Sequence, residues 1–239
     1  ASIDFNGQKI GLLSENIRDS HSPFVHEEKL RFKFFPNLES SVKGIRDLPF
    51  AVAETTSNYV EGNYWTALSD EKSGVAFFNK GNMGSVREKD NSFSIPLTYA
   101  MYYVWGTRIL YGLYSYEFAI LPFNGNWENA GLHKKALEYS FHVPTVESSP
   151  NNGRLGTRLN TFDIKAENDV ILTGLYPQKG KVVARFFKSA DQVPKSALQF
   201  GKDKTKIIET DLDGKKIRDI DNKIIFNAWE IKTFQFQAK

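Results

Sequence analysis

Apolar residues alternate with polar ones along most of this chain, and in one place that period of two gives way to a period near 3.6. Along 114–121, Tyr114, Tyr116, Phe118 and Ile120 alternate with Ser115, Glu117, Ala119 and Leu121, which predicts a single strand covered on one face and largely on the other. Pro122 is expected to stop it, and Asn124-Gly125 to turn the chain. Asn126 then suits a helix N-cap, with Glu128 in the first turn, where the helix dipole favours a carboxylate. Leu132, Ala136 and Tyr139 form one apolar stripe. Lys134, Lys135 and Glu138 face water, and His133, beside Lys134, is expected there too. Pro144 closes the unit.

Almost everything else reads as strand. Residues 29–35 alternate cleanly, with Leu30, Phe32 and Phe34 against Lys29, Arg31 and Lys33. Further strands are predicted at 50–55, 63–69, 74–78, 92–97, 162–166, 170–176, 181–188, 205–211, 223–226 and 230–237. Lys179-Gly180 and Asp213-Gly214 sit where tight hairpin turns belong. The stretch 148–156, Ser-Ser-Pro-Asn-Asn-Gly-Arg-Leu-Gly, reads as a linker or long hairpin loop. Short, regularly spaced strands predict an all-β fold, an antiparallel β-sandwich with one short helix. The main sandwich region is assigned to 1–147. Residues 148–239 either complete the same sandwich or form a second, smaller β subdomain.

Composition adds limits. The chain has 239 residues, 41% hydrophobic and 14% aromatic, with 19 Phe and 10 Tyr, which suits a sheet protein with a thick core. A net charge of +3, without a basic stripe among aromatics, argues against a nucleic-acid partner. Lys202–Lys206 and Lys215-Lys216 read as solvated strand ends and turns. With no cysteine there is neither disulfide nor thiolate chemistry, which suits an oxidising or a reducing compartment equally. No segment resembles a signal peptide, and the longest apolar run, 99–105, falls far short of the ~20 residues of a membrane-spanning helix. Opening on Ala1 rather than Met predicts a processed or cut chain, the carboxy-terminal part of something longer.

Three constellations could carry chemistry. The histidines, His21, His26, His133 and His142, lack the spacing of a metal site, and neither a Gly-x-Ser-x-Gly elbow nor a phosphate-binding glycine loop is present. Of the carboxylates, Glu117 and Glu128 flank the strand-to-helix turn, and Asp211 and Asp213 bracket a hairpin. Both pairs suit strand, cap and turn roles more readily than the close acid pair of a glycosidase. The third is the aromatic segment around Tyr99, Tyr102, Tyr103, Trp105 and Tyr111, with Gly106, Arg108 and Gly112. Aromatic faces stack on sugars and a guanidinium hydrogen-bonds hydroxyls, so Tyr103, Trp105 and Arg108 are candidate substrate contacts. The same density of aromatics also suits an interdomain or core contact. Asn79 and Asn82, after the apolar run 74–78, are candidates for an interdomain contact.

Several motifs, in order, carry a family resemblance. Trp65-Thr-Ala-Leu-Ser-Asp70, Gly74-Val-Ala-Phe-Phe-Asn-Lys-Gly81, Tyr116-Glu-Phe-Ala-Ile-Leu-Pro122, Gly125-Asn-Trp127 and Ala136-Leu-Glu-Tyr139 resemble the carboxy-terminal β-domains of glycoside hydrolase family 38 α-mannosidases. Residues 170–176, Val183-Ala-Arg-Phe186 and Trp229-Glu-Ile-Lys-Thr-Phe234 continue the likeness. Phe123 stands where many members carry His. The resemblance implies a galactose-mutarotase-like supersandwich, a mannose-containing glycan as substrate, and a retaining, zinc-dependent reaction. It also implies that the nucleophile and zinc ligands lie in an amino-terminal catalytic domain, the partner of this region, so no catalytic residue and no metal ligand is assigned to this chain. The competing reading is a free-standing carbohydrate-binding module.

Overall fold

The computed structural model describes residues 1–10, 29–39, 41–99, 109–149, 164–190, 195–200, 206–221 and 223–237. These form antiparallel sheets and one short helix, an all-β fold, in two compact units, Ala1–Ser140 and Phe141–Lys239. Among the described residues no helix is long and apolar enough to cross a membrane.

The first unit runs β1 (Ser2–Lys9), β2 (Lys29–Phe34), β3 (Lys43–Leu48), β4 (Ala51–Thr55), β5 (Tyr59–Glu61), β6 (Trp65–Ser69), β7 (Ser73–Asn79), β8 (Gly84–Arg87), β9 (Phe93–Tyr99), β10 (Ile109–Ser115), β11 (Phe118–Asn124) and α1 (Leu132–Ser140). A five-stranded sheet, β11-β7-β6-β3-β4, packs on a four-stranded one, β2-β9-β8-β5. Between them Leu68 and Phe77 meet Val60, Phe93 and Ile95, with Phe32, Phe34 and Phe118 packed alongside. Alternation sends the intervening residues, Trp65, Ala67, Ala76 and Phe78, to the outer face of the larger sheet. There α1 covers them, burying Leu132 and Ala136 and setting Tyr139 6.0 Å from Phe78. The stripe read from the sequence is the one the helix uses.

The structure corrects four local expectations. The strand expected at 114–121 is two. Ser115 pairs with Ser2 in the β1–β10 ribbon, whereas Phe118 pairs with Asn79 of β7, so the two halves serve different sheets and part at Tyr116-Glu117. Pro122 does not stop β11 but lies inside it, opposite Val75. Because β11 is an edge strand, the missing N–H deprives no neighbour. The helix starts at Leu132, not just after Asn126: the Asn126 Oδ1 accepts the N–H of Asn129 at 2.8 Å and caps the turn preceding it. Finally, His133 is buried, not solvated. Phe123 lies against Gly74, where an added Cβ would fall 2.3 Å from its ring.

The second unit comprises β12 (Ile164–Ala166), β13 (Val170–Gln178), β14 (Lys181–Lys188), β15 (Lys195–Phe200), β16 (Lys206–Thr210), β17 (Lys216–Ile220), β18 (Lys223–Asn227) and β19 (Ile231–Gln237). Sheets β13-β14-β19-β16-β17 and β12-β15-β18 enclose an aromatic core. Phe186, Phe234 and Phe236 meet Leu198, Phe200 and Phe226 there, with Phe200 and Phe236 edge to face at 5.2 Å. The fully buried Lys188 ammonium lies 2.7 Å from Asp169, whose same oxygen accepts the Ser196 hydroxyl at 2.7 Å.

Both expected hairpin turns form. Lys179 and Gly180 have φ of 48° and 73°, the left-handed pair of a type I′ turn joining β13 to β14. Open space surrounds the Gly180 Cα, so Gly180→Ala introduces no clash and costs only its backbone preference. The expected loss is about 1 kcal/mol, read as a lower urea midpoint. At the other turn the Asp211 Oδ1 accepts the N–H groups of Asp213 at 3.1 Å and Lys215 at 2.8 Å, which is turn chemistry.

Candidate functional site

Chemistry-bearing residues of the first unit gather on and beside the outer face of the five-stranded sheet. Its centre is Trp65, fully buried, which shares the outer face with Ala67, Ala76 and Phe78 and is reached from α1 by His133. The Trp65 indole N–H donates to the His133 Nδ1 at 3.4 Å. That bond makes Nδ1 the acceptor and assigns the ring proton of the neutral imidazole to Nε2. Burial lowers the His133 pKa from 6.5 to about 4, so this is a neutral core histidine at physiological pH. Trp127, in the capped turn before α1, packs on Trp65 at 5.9 Å.

Next to this cluster the sheet bends into a corner. Asp47, almost wholly buried in β3, accepts the Tyr64 N–H through both oxygens at 3.1 and 3.0 Å and the Trp65 N–H at 3.0 Å. Burial raises its pKa, and the backbone N–H groups pull it part of the way back. Asn79, 2% exposed, completes the corner: its Oδ1 accepts the Gly81 N–H at 3.2 Å and its amide donates to the Gly62 carbonyl at 3.5 Å. Asn82 follows, half-buried, in the same turn.

A groove of about 240 Å³ opens at the β3–β4 side of this face. Ile45 lies at its floor. Lys43 and Glu54, paired at 2.9 Å, line it from β3 and β4, and Asp70, Asn126 and Trp127 from the turns. The Asp70 carboxylate accepts the N–H groups of Glu39, Lys72 and Ser73, each at 2.8 Å, and these bonds hold its pKa down at about 2.

The sequence candidates fare unevenly. Tyr103, Trp105 and Arg108 lie outside the described residues, as does the linker stretch from 150 on. Asn79 is brought to the Asp47 corner. Glu117 is exposed and paired with Lys80, which also lies over the Tyr139 ring at 4.9 Å. The roles of Asp47 and Trp127 were missed from sequence. A lone Asp inside a strand, two residues before Pro49, was the available signal for Asp47, and Asn-Gly-Asn-Trp for Trp127. Among the described residues no three His, Cys, Asp or Glu side chains are grouped to hold a metal ion.

No protein-family model and no curated protein matches this sequence. Solved structures do. A protein in the glycosyl hydrolase family 38 from Enterococcus faecalis superposes with a TM-score of 0.71 at 15% identity, over 87% of this chain and 26% of that one. An alpha-mannosidase from Enterococcus faecalis V583 superposes with a TM-score of 0.69 at 16% identity, over the same shares. The chain thus spans about a quarter of the length of the structures it matches. Its fold is that of one part of glycosyl hydrolase family 38 α-mannosidase structures.

Proposed function

We propose that this chain is a β-domain region of a larger α-mannosidase-type glycoside hydrolase, where it buttresses a catalytic domain and lines one side of a sugar cleft. The observation that carries the reading is the pair of coverages: nearly all of this chain matches, and only about a quarter of each neighbour is used. The retaining, zinc-dependent chemistry would then belong to an amino-terminal catalytic domain. The role of this region would be stiffness and shape.

The surface supports a docked role. On β10, Ile109, Tyr111 and Leu113 project on one face of the two-stranded β1–β10 ribbon, and Tyr111 and Leu113 are about 70% exposed. An apolar ridge of that kind suits a covering body of protein. The catalytic domain is the occupant this reading assigns.

Two measurements test the proposal. The pure chain, incubated with an aryl α-mannoside with and without zinc, is expected to release no more phenol than the blank; robust zinc-dependent release overturns the reading. The complete reading frame is expected to encode an α/β catalytic domain ahead of these residues. A frame without one transfers the chain to the carbohydrate-binding modules.

A further inference from the structure

The stretch that follows α1 has features that a buttressing role does not use. Residues 141–149 lie in neither helix nor strand, and every one of them is exposed. The helix before them ends at Ser140, which is also where the first compact unit ends. A plain solvated spacer carries small or charged residues. This one shows Phe141, Val143 and Val146 to solvent at 60%, 83% and 90% exposure. Each unit has a core of its own, around Phe77 and Phe93 in the first and Phe186, Phe200 and Phe234 in the second, so a break in this stretch opens neither.

The order of residues narrows what engages it. A proteolytic enzyme takes its substrate as an extended strand, bonded through the backbone on both sides of the cut and read through alternate side chains. The bond 143–144 is unsuited, because Pro144 supplies a nitrogen without a hydrogen. A cut after Phe141 needs the residues before it extended, and those form the last turn of α1, a helix anchored in the core by Leu132 and Ala136. Glu147–Ser148 meets no such obstacle. Thr145, Val146, Glu147, Ser148 and Ser149 all carry an N–H for strand bonding, and Pro144 falls outside them. Glu147 is the one carboxylate of 141–149, Val146 beside it offers an apolar contact, and two small serines follow.

We propose that 144–149 is a processing site for an endopeptidase selective for glutamate, cut between Glu147 and Ser148. Water adds across the amide. Its oxygen joins the Glu147 carbonyl carbon as the C–N bond breaks, and the Ser148 nitrogen leaves as an amine carrying the proton. One product keeps the core of the first unit and the other the core of the second. The inference does not rest on the domain assignment, and its failure leaves that assignment as it stands.

The test digests the folded full chain with a glutamate-specific endopeptidase and follows each cut by mass spectrometry. Glu54, in β4, and Glu138, in α1, are internal standards: both side chains are exposed, but a cut there waits on local unfolding. The Glu147–Ser148 bond is expected to be cut at least about tenfold faster than either, and the nicked protein to keep the tryptophan emission of the intact one. Glu147→Gln is expected to abolish this cut. Thr145→Pro, which removes an N–H from the strand-bonding side, is expected to slow it roughly five- to tenfold. Both variants change exposed positions and are expected to keep the parent's urea midpoint. Cutting at Glu54 or Glu138 as fast as at Glu147 overturns the proposal, as does a nicked chain that loses its folded emission. So does an unchanged rate in Thr145→Pro.

Discussion

Asp47→Ala is expected to cost about 3 kcal/mol or more of stability, the sum of two buried N–H groups losing their acceptor. Those N–H groups belong to Tyr64 and Trp65, at the point where the chain enters β6. The corner is tight as well as polar. A Cβ on Gly62 would fall 2.7 Å from the Asp47 Oδ1 and 2.2 Å from the Trp65 carbonyl, so backbone, not a flexible side chain, blocks any relaxation by moving inward. Asn63 adds a backbone bond to the Asp47 carbonyl at 3.3 Å. Asp47→Asn keeps one acceptor and is expected to lose less. Urea denaturation measures both, and an alanine variant within about 0.5 kcal/mol of the parent shows that the corner does not depend on this carboxylate.

The second large effect is a loss of stability on mild acidification. His133 binds a proton in the unfolded chain near its ordinary 6.5, whereas in the folded protein burial delays this to about 4. Across that interval the unfolded state holds more protons, so stability falls with pH. It is complete above 6.5 and declines until the folded imidazole also titrates. At about 1.4 kcal/mol per pH unit, the whole interval amounts to about 3 kcal/mol.

Other groups near this window can be told apart. Asp70 and Asp90 are held at about 2, the first chiefly by the Glu39 N–H and the second chiefly by the Ser92 hydroxyl. Both contribute above their ordinary 3.8 and lose that contribution only below it. Asp47, with its pKa raised, has the opposite sign: the folded state favours its protonated form, so acidification lessens its burial penalty. Denaturation curves at about pH 7 and pH 4.5 therefore read His133 together with an Asp47 contribution of opposite sign, which the His133 variant separates. His133→Gln, which keeps an acceptor for the Trp65 indole, is expected to flatten the dependence. Parallel curves for parent and variant would assign the acid sensitivity to another group.

The parts of this fold legible from sequence are those decided by neighbours in the chain. Strict alternation at 29–35 places Phe32 and Phe34 against the core, and β14 spans the residues its pattern predicts, 181–188. Lys179-Gly180 turns as a positive-φ pair because glycine tolerates it. The α1 stripe of Leu132 and Ala136 follows from helical period alone. Short strands were harder: β5 and β8, of three and four residues, carry too few positions for a period to show.

What escaped the sequence was decided by residues far away along it. Pro122 remains in a strand because β11 happens to be an edge, a property of sheet order and not of the residue. His133 is buried because a tryptophan 68 positions earlier lies beneath it, and its neighbour Lys134 reaches water on the next helical position. The groove draws Lys43, Glu54, Asp70 and Trp127 from four separate parts of the first unit. Periodicity determined that this would be a β-sandwich protein with one short helix, since each residue's preference for a face is local. Which polar groups would lie together in the dark of the core, and which would line an open surface, was decided only by the tertiary pairing of strands.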